Sequence, residues 1–463
     1  MHTPLLSRRQ LLMASGMTLA GSTARVWAQT APQGNKSAGR MVVVLLRGAY
    51  DGLSAFVPYA DADYYTSRPN IAIAAPDGSN QTALKLDNTF ALHPALAPVL
   101  PLWQQGVLSF VPSAGLPAPN RSHFAAQYEM EIGQSGKTSA APGWLNKTAS
   151  THSKTTTTAI GVDQRITTAI GVDQRITTAI GVGEANPAIL AGDAQVKLIP
   201  RGPAAERTGV LANDKTRQAL MDLYAGNDKI SEAFRQGAGS RMQSAQELST
   251  EKMEMDGKRM GPVMDRALDK DGTPATAQAQ NAQMLAASNG ASDPVGLQLD
   301  AQHLGTLMRN DRHLRLGFLS AGGWDTHANQ GNATGQLANN LGNLGRAIAQ
   351  LRQDFSEPGD VVVVMSEFGR TAVENGTRGT DHGYGNAMWL VGNRVNGGRW
   401  HGQWTGLGRG NLNEARDLPA HHDYRAVLAQ VMRSTLAMPD SALAHVLPNT
   451  KWDTRLDRLM RRT

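Results

Sequence analysis

Four segments of the chain that are predicted to be strands each run into a glycine-rich turn that carries a carboxylate or a histidine. The residues in these turns are Asp51, Asp325 with His327, Glu367, and Asp381 with His382. In an open α/β sheet, ligands bind in the crevice beyond the carboxyl ends of the strands. Carboxylates and imidazoles gathered there predict a site for a metal ion or for an anionic substrate.

The apolar patterns predict an α/β fold with a mainly parallel sheet sandwiched by helices. Short apolar runs rich in β-branched residues, typical of strands buried on both faces, occur at 41–46, 107–111, 314–319, 361–365 and 388–391. From Leu337 to Leu351, apolar residues recur at helical spacing. Because this helix lies between two predicted strands, 314–319 and 361–365, we expect a parallel pair with a right-handed crossover. A closing helix is predicted at 424–436.

The first 28 residues predict an export signal. Arg8 and Arg9 precede a short apolar run that ends near Gly21, and small residues follow up to Ala28. This order is typical of a twin-arginine signal peptide that is cleaved after Ala28. The apolar run is about half of the ~20 residues needed to span a bilayer, and no later segment is that long. We therefore expect the twin-arginine translocase as a partner during export, a periplasmic location, and no integral membrane segment after cleavage.

The rest of the chain is predicted to be a polar linker at 29–40 and one α/β domain at 41–463. Two features interrupt this domain. Within 157–180, the ten residues 161–170 recur unchanged at 171–180, which indicates a recent tandem duplication with no chemistry of its own. Between 213 and 290, charged, Ala-, Gln- and Met-rich sequence with helical spacing predicts a helical insertion that packs at the rim of the sheet as a cap.

Composition limits both the partners and the ligand types. The formal net charge is +6, and three of the positive charges, Arg8, Arg9 and Arg25, lie in the export signal. We therefore expect no nucleic acid partner. The chain has no cysteine. A metal site must use His, Asp, Glu or hydroxyl ligands, which suit zinc, manganese, magnesium or calcium and exclude thiolate and iron–sulfur sites.

Two acidic and histidine pairs are the main candidate metal ligands. Asp325 and His327, two residues apart in a tight turn, can approach one ion, and Asp381 with His382 offers a second oxygen and nitrogen. A turn-capping aspartate beside a surface histidine would give the same pattern. Both pairs follow predicted strands and are embedded in glycines, which favours a metal site.

A serine, a histidine and three arginines lie in the same group of loops. Ser122 has the hydroxyl that covalent catalysis needs, and it also suits the N-cap of a helix that begins near His123. The two roles are compatible, because a helix start stabilises an anion. His123 itself is a candidate metal ligand or phosphate contact. Arg47, Arg121 and Arg370 are candidates for binding phosphate, sulfate or carboxylate, although surface salt bridges would explain them equally.

Together, these motifs resemble domain-of-unknown-function family 1501. Its members are exported by the twin-arginine pathway and are placed by similarity in the alkaline phosphatase and sulfatase superfamily. The resemblance covers essentially the whole chain after the signal, apart from the duplicated stretch. The motifs that carry it are RGAYDGL at 47–53, SHF at 122–124, GWDTH at 323–327, SEFGRT at 366–371 and GTDHG at 379–383.

The resemblance implies an alkaline-phosphatase-like fold and a metal-assisted hydrolase, in which a serine or threonine attacks the phosphorus or sulfur of a small anionic ester. By this resemblance, Asp51 matches the aspartate ligand after the first strand, and Ser122 lies where the nucleophile is expected. Asp325 and His327 resemble the ligands of one metal. His382 resembles the last histidine ligand.

The sequence departs from the superfamily pattern at 366–369, where an Asp-His pair is expected. Glu367 can replace the aspartate, but Phe368 cannot ligate a metal. A second metal site would therefore need His123 or Asp381 as the missing ligand. This departure motivates a second hypothesis, a binding or envelope-assembly protein on a phosphatase-like scaffold that has lost turnover.

The leading hypothesis is a periplasmic, metal-dependent hydrolase of phosphate or sulfate esters. In this hypothesis Ser122, His123 and Arg370 are catalytic, and Arg47 and Arg121 bind the anion. A third hypothesis, a carbohydrate-binding module, rests on tryptophans that could stack on sugars, although burial in the core would explain most of them. They are Trp324, Trp389, Trp400 and Trp404.

Overall fold

The structure is a computed structural model, and it describes residues 39–136, 140–153, 179–183, 187–256 and 275–461. The strands within these ranges are short and mostly buried. In chain order they are β1 (Met41–Leu46), β2 (Phe56–Val57), β3 (Leu84–Lys85), β4 (Ala91–Leu92), β5 (Leu108–Gly115), β6 (Ala179–Val182), β7 (Val196–Ile199), β8 (Leu316–Ala321), β9 (Val361–Ser366), β10 (Asn386–Gly392), β11 (Arg399–Trp400) and β12 (His422–Asp423).

The α-helices of the described residues range from one turn to 28 residues. They are α1 (Gly52–Ala55), α2 (Ala62–Ser67), α3 (Leu100–Gln104), α4 (His123–Ile132), α5 (Trp144–Ser153), α6 (Asp214–Leu223), α7 (Lys229–Asp256), α8 (Ala275–Ser288), α9 (Leu297–Asn310), α10 (Gln336–Asp354), α11 (Tyr424–Leu436) and α12 (Asp440–Val446). Across the described part of the chain, no helix has the length and apolar character needed to cross a membrane.

A mostly parallel sheet forms the centre of the fold, as the sequence predicts. Nine strands of the described residues lie in the order β11-β5-β10-β9-β1-β8-β6-β7, with β12 beside β5. Strand β10 runs antiparallel to both of its neighbours, β5 and β9. The other pairs in this sheet are parallel. A second sheet of three short strands, β2-β4-β3, lies outside it.

The strand order differs from the predicted pair in one respect. Strands β8 and β9, which the helix α10 connects, run in the same direction, but β1 lies between them and pairs with both. The all-apolar sequence of β1 explains its central place, because only a strand covered on both faces and both edges can bury every side chain. All six of its residues are buried.

Side chains of the central strand alternate between two hydrophobic layers. Val42, Val44 and Leu46 pack in the layer that contains apolar residues of α9 and α10. Met41, Val43 and Leu45 point to the opposite layer, which contains residues of α4, α5 and α11. This alternation is the two-residue period of a strand, and it places helices on both faces of the sheet.

Several predicted segments can be compared with the described elements. The crossover and closing helices are confirmed as α10 and α11. The segment 213–290 contains α6, α7 and α8, and its role as a cap stays a prediction. The predicted signal peptide at 1–28, the linker up to residue 38 and the repeated residues from 157 to 178 lie outside the described residues.

The tryptophans behind the carbohydrate-binding hypothesis are packing residues. Trp324 and Trp389 are fully buried, and both rings contact Tyr50 edge-on. Trp400 and Trp404 pack edge-on against Phe90, and their rings belong to the border of the core. Trp324 and Trp389 therefore cannot stack on a sugar, whereas Trp400 and Trp404 are partly exposed and engaged with Phe90.

Strand β6 leads to a prediction about the duplication. Its sequence, Ala179-Ile180-Gly181-Val182, joins the last two residues of the second repeat copy to the two residues that follow it. Deleting 161–180 joins Ala159-Ile160 to Gly181-Val182 and therefore restores the same four residues between the same neighbours. We expect the shortened chain to melt within about 4 °C of the full chain in a circular dichroism experiment, which corresponds to about 1 kcal/mol.

A control variant tests whether the strand matters in the shortened chain. Val182→Asp places an unpaired charge in β6, where this side chain is buried, and we expect it to lower the free energy of unfolding by more than about 2 kcal/mol. A shortened chain that fails to fold without the added substitution would contradict the interpretation of the repeat as a dispensable duplication.

Candidate metal centre

The candidate site lies at the carboxyl edge of the parallel strands. Residues Leu46, Ala321 and Ser366, the last of β1, β8 and β9, are in register, so the turns that follow them start at the same level of the sheet. Asp325 and His327 belong to the turn after β8. His382 lies between β9 and β10, and His123 is the first residue of α4. Loops far apart in the sequence therefore meet at one edge.

Two glycines allow these loops to approach closely. Gly48 has a φ of +108°, and a Cβ atom at this position would lie 2.9 Å from the backbone nitrogen of Asp325. A Cβ atom at Gly379 would lie 2.4 Å from the carbonyl group of His327. Larger residues at these positions would push apart the loops that carry the candidate ligands.

Three imidazoles and one carboxylate converge on a common point. Asp325 Oδ1 lies 2.9 Å from His327 Nε2, 3.3 Å from His382 Nε2 and 3.4 Å from His123 Nε2. His382 Nε2 is also 2.9 Å from His123 Nε2 and 3.0 Å from His327 Nε2. His123, Asp325 and His382 form a group that could hold a metal ion, and His327 lies directly beside it. His327 and His382 remain 24% and 22% exposed, so small molecules can reach the cluster.

Each imidazole is also held from behind, through Nδ1, by an oxygen atom that can only accept a hydrogen bond. The pairs are His123 with Glu367 Oε1 (2.8 Å), His327 with Asp381 Oδ1 (3.2 Å) and His382 with the carbonyl oxygen of Arg121 (2.9 Å). These acceptors require a proton on Nδ1, so a neutral imidazole must direct the lone pair of Nε2 into the cluster. Lone pairs this close repel one another unless a proton or a cation lies between them. The arrangement is typical of metal-binding histidines.

Asp325 has the properties of a ligand with free capacity. Its Oδ1 accepts a hydrogen bond from Arg370 Nη2 at 2.6 Å. Its Oδ2 is buried and has no hydrogen-bond partner in the described part of the chain. Burial alone would raise the pKa of Asp325, but the contacts of its Oδ1 with the three histidines and the charge of Arg370 hold this pKa well below its usual range. An ionised carboxylate with an unpaired buried oxygen fits a cation.

The histidines differ in how readily they carry a proton. Burial lowers the pKa of His382, and the positive charges of Arg370 and His123 lower it further. Burial also acts to lower the pKa of His123, but hydrogen bonds to Asp325 and Glu367 outweigh it and raise the pKa to about 8. At neutral pH, a proton on His123 therefore relieves the repulsion within the cluster. A bound metal ion would displace this proton.

Glu367 and Asp381, which are predicted ligands, lie behind the imidazoles. Glu367 Oε1 accepts hydrogen bonds from the backbone nitrogen of Gly48 at 2.8 Å and from Gln127 Nε2 at 2.9 Å, in addition to its contact with His123. Asp381 lies against Nδ1 of His327, on the side away from the cluster. In this geometry the two acids orient histidines, and they do not contribute oxygens to the convergence point.

Asp51 belongs to a separate buried network. Its Oδ2 accepts hydrogen bonds from Arg68 Nη1 at 2.6 Å, from Ser54 Oγ at 2.7 Å and from Gln330 Nε2 at 2.7 Å. Burial would raise the pKa of Asp51, but the charge of Arg68 and these hydrogen bonds lower it. The guanidinium group of Arg68 thus neutralises Asp51 through Oδ2, while Oδ1 is buried without a hydrogen-bond partner in the described part of the chain. Asp51 is not in the group of described residues whose ligand atoms lie close enough together to share one ion.

The three arginines predicted to bind an anion are already paired. Arg47 is buried and pairs with Glu131 at 2.6 Å. The side chain of Arg121 pairs with Glu414 at 2.7 Å and with Asp417 at 3.0 Å. Arg370 is buried and donates to four backbone carbonyls besides Asp325. These pairings fix the loops that carry the arginines, although Arg121 Nε is buried and has no hydrogen-bond partner in the described part of the chain.

Ser122 and Phe368 flank the cluster. Ser122 is exposed at the N-cap position of α4, and its hydroxyl makes no capping hydrogen bond, so the predicted helix start is confirmed and the oxygen stays accessible. The ring of Phe368 lies 4.8 Å from the ring of His123 and 5.2 Å from that of His382, measured between centroids. Phe368 thus forms an apolar wall of the cluster.

Reasoning from the sequence missed the contribution of Gln127. Its side chain joins Glu367 to Arg47, with Nε2 donating to Glu367 and Oε1 accepting from Arg47 Nη1 at 2.7 Å. The sequence contained a signal for this contribution, because Gln127 is four residues after His123 and therefore lies on the same face of α4. The role of Arg68 beside Asp51 had no comparable signal in the sequence.

Comparison with protein families now settles the relationship that the motifs indicate. Residues 38–440 match the family described as protein of unknown function, DUF1501. The chain belongs to the DUF1501 family. The match spans the cluster, Ser122 and the Asp51 network. No protein of curated function matches this DUF1501 chain in sequence.

Among the solved structures that resemble this DUF1501 protein, two show a weak likeness. One is the crystal structure of Ps i-CgsB in complex with k-i-k-neocarrahexaose, with 10% identity, a TM-score of 0.34, and coverage of 89% of this chain and 74% of that chain. Another is a histidine-to-glutamate mutant of TAB5 alkaline phosphatase with magnesium bound in its M3 site, with 11% identity, a TM-score of 0.28, and coverage of 79% and 94%. A likeness this weak carries no argument about activity.

The raised pKa of His123 predicts how metal binding depends on pH. Below about pH 8, an ion must displace the proton on His123, so the apparent affinity for zinc should fall by at least about tenfold per pH unit as the pH decreases. Above this pH the affinity should level off. Competition titrations with a zinc chelator between pH 6 and 9 would measure the profile, and a flat profile over this range would contradict the assignment.

The carboxylate behind His123 gives a second prediction. Glu367→Gln replaces a charged acceptor by a neutral amide of the same size, and we expect zinc affinity to fall by about 10–100-fold. His382→Ala, which removes a candidate ligand, should lower the zinc affinity further. His313→Ala is the matched control, because this histidine is exposed and lies outside the cluster. Wild-type zinc affinity in the Glu367→Gln variant would show that the carboxylate does not support a metal site.

Proposed function

We propose that this DUF1501 protein is a metal-dependent hydrolase of phosphate or sulfate esters. The observation that supports the proposal most is the contact of Asp325 Oδ1 with three imidazole nitrogens at 2.9–3.4 Å, while each imidazole is held through Nδ1. His123, His327, His382 and Asp325 would hold the ion. Three nitrogen ligands suit zinc better than magnesium or calcium, which prefer oxygen ligands.

A bound ion would supply Lewis-acid polarisation of an ester oxygen. The chain supplies the nucleophile, because Ser122 has an exposed hydroxyl and directly precedes His123. The unpaired N–H groups in the first turn of α4 stabilise negative charge that develops beside Ser122. Ser122 Oγ would bond to phosphorus or sulfur as the bond to the leaving alcohol oxygen breaks. Water would then break the new bond, with protons exchanged with solvent.

One observation favours the second hypothesis, a binding or envelope-assembly protein without turnover. Arg47 and Arg370 are buried and paired with Glu131 and Asp325, so neither of them offers the cluster a free bidentate clamp for an oxyanion. A metal site next to Phe368 without such a clamp could retain an ion for structural purposes. Turnover by the metal-loaded protein therefore distinguishes the two functions.

We also propose that the protein acts in the periplasm after export by the twin-arginine pathway. The support is the sequence of residues 1–28, with Arg8 and Arg9 before a short apolar run, and this segment lies outside the described residues. The route carries folded proteins, so a metal bound before export would be retained. Replacing Arg8 and Arg9 by lysine should leave the protein in the cytoplasmic fraction, whereas normal export would refute the proposed route.

The enzyme hypothesis predicts turnover that depends on Ser122. We expect zinc-loaded protein to hydrolyse p-nitrophenyl phosphate or p-nitrophenyl sulfate, and Ser122→Ala to lower kcat/KM by at least about 100-fold, as expected when a nucleophile is lost. The control is Ser441→Ala, which removes an exposed hydroxyl from α12, a helix that carries no residue of the cluster. The control variant should retain wild-type activity.

Two other outcomes of the hydrolysis experiment would also distinguish the hypotheses. Protein that binds zinc in the cluster and hydrolyses neither ester would support the binding or assembly function. Hydrolysis that is unchanged in Ser122→Ala would exclude a Ser122 intermediate and indicate direct attack by water.

A further inference from the structure

An open groove lies between the helices α6 and α7 and the turn Gly209–Ala212 that precedes them. Its volume is about 420 Å³, which falls in the range of small-molecule sites. All of its lining residues belong to 208–241, which the structure describes without a gap. Apart from Thr208 and Arg241, the lining is apolar or glycine. It includes none of the candidate metal ligands, so the groove is separate from the proposed hydrolase centre.

The apolar side chains at this groove are poorly covered by the described part of the chain. Val210, which lines the groove, is 70% exposed. Leu223 and Ile230 are 71% and 72% exposed, and they lie one helical turn from the lining residues Leu220 and Phe234. The helix α6 has no buried residue. Neighbouring apolar side chains that stay exposed mark a surface that binds another molecule.

One charged side chain lines the groove, and it has no acidic partner. Arg241 Nη2 donates to the carbonyl oxygen of Ala204 at 2.8 Å, and no carboxylate of the described residues forms an ion pair with this guanidinium group. The side chain is only partly buried, and its other nitrogen atoms stay accessible. Partial burial lowers the pKa of Arg241, and no negative charge offsets this effect. A guanidinium group in this setting favours an anionic ligand.

We propose that this groove binds a single-chain anionic amphiphile, of the chemical class of a fatty acid. The acyl chain would lie on Val210, Leu220 and Phe234, and the carboxylate would accept hydrogen bonds from Arg241. A symmetric second copy of this chain suits the groove less well, because it would bring another unpaired Arg241 to the interface. The binding is a function beyond the proposed hydrolysis and does not depend on a metal ion.

Isothermal titration of the full chain with three probes, each below its micelle concentration, tests the proposal. We expect dodecanoate to bind with one-to-one stoichiometry. Each fully buried methylene group strengthens binding by about fourfold, so octanoate, which has four fewer, should bind at least about tenfold more weakly. Dodecyltrimethylammonium has the same chain length and a positive charge, and it should also bind at least about tenfold more weakly. No binding of dodecanoate at 1 mM, or equal affinity for the cationic probe, would overturn the proposal.

Two variants locate the binding. Arg241→Gln removes the charge and keeps a donor for the carbonyl oxygen of Ala204, so it should weaken dodecanoate binding at least about tenfold without weakening the binding of dodecyltrimethylammonium. Val210→Asp places a negative charge in the lining at an exposed position, so it should abolish dodecanoate binding and leave the melting temperature unchanged. Val295→Asp is the matched control, because this valine is 71% exposed and lies outside the lining. Wild-type dodecanoate affinity in Val210→Asp would refute the site.

Two further measurements identify other occupants of the groove. Binding to phosphatidylglycerol vesicles without binding of monomeric dodecanoate would indicate a membrane surface. A dimer that binds no dodecanoate and that Val210→Asp dissociates would indicate a second copy of the chain. Either result would overturn the proposal.

Discussion

The side chain of Arg370 holds the loops of this edge together. Its guanidinium donates to the carbonyl oxygens of Gly48 and Ala49 after β1, of Trp324 after β8 and of Thr380 before β10, and it also pairs with Asp325. A buried charge with all of these acceptors is well compensated, and removal of one partner from such a pair typically costs about 3–5 kcal/mol. Arg370 thus joins the turn that carries Asp325 to the turn after β1 and to the segment that leads to His382.

The rigid loops at this edge of the sheet hold the imidazole nitrogens closer together than their mutual repulsion would otherwise allow. Oxygens behind His123, His327 and His382 orient the rings, and the rigid loops prevent the Nε2 atoms from separating. Local repulsion of this kind persists only where the surrounding structure determines the geometry, and it is concentrated at functional sites. The orphaned oxygen of Asp325 has the same origin. Both features are explained together by a cation at the centre of the cluster.

Much of the fold could be predicted from the sequence, because β1 and β9 are continuous apolar runs and α10 has a clear helical period. The order of the strands could not be predicted, because the insertion of β1 between β8 and β9 depends on pairing between strands that are far apart in the sequence. Among the candidate ligands, Asp325 and His382 both follow predicted strands, and this position correctly predicted that they lie at one edge of the sheet. The sequence could not show that Glu367 lies behind the imidazole of His123, nor that Arg68 pairs with Asp51, because both contacts depend on the direction of the side chains.

The central claim is that three histidines and Asp325 bind one metal ion. A crystal structure of zinc-loaded protein, with diffraction data collected on both sides of the zinc absorption edge, would test it most directly. An ion held by the cluster should give one anomalous peak per chain, in contact with Nε2 of His123, His327 and His382 and with a carboxylate oxygen of Asp325. A cluster without an anomalous peak in zinc-loaded crystals, or a peak at Asp51 with the histidines unoccupied, would contradict it.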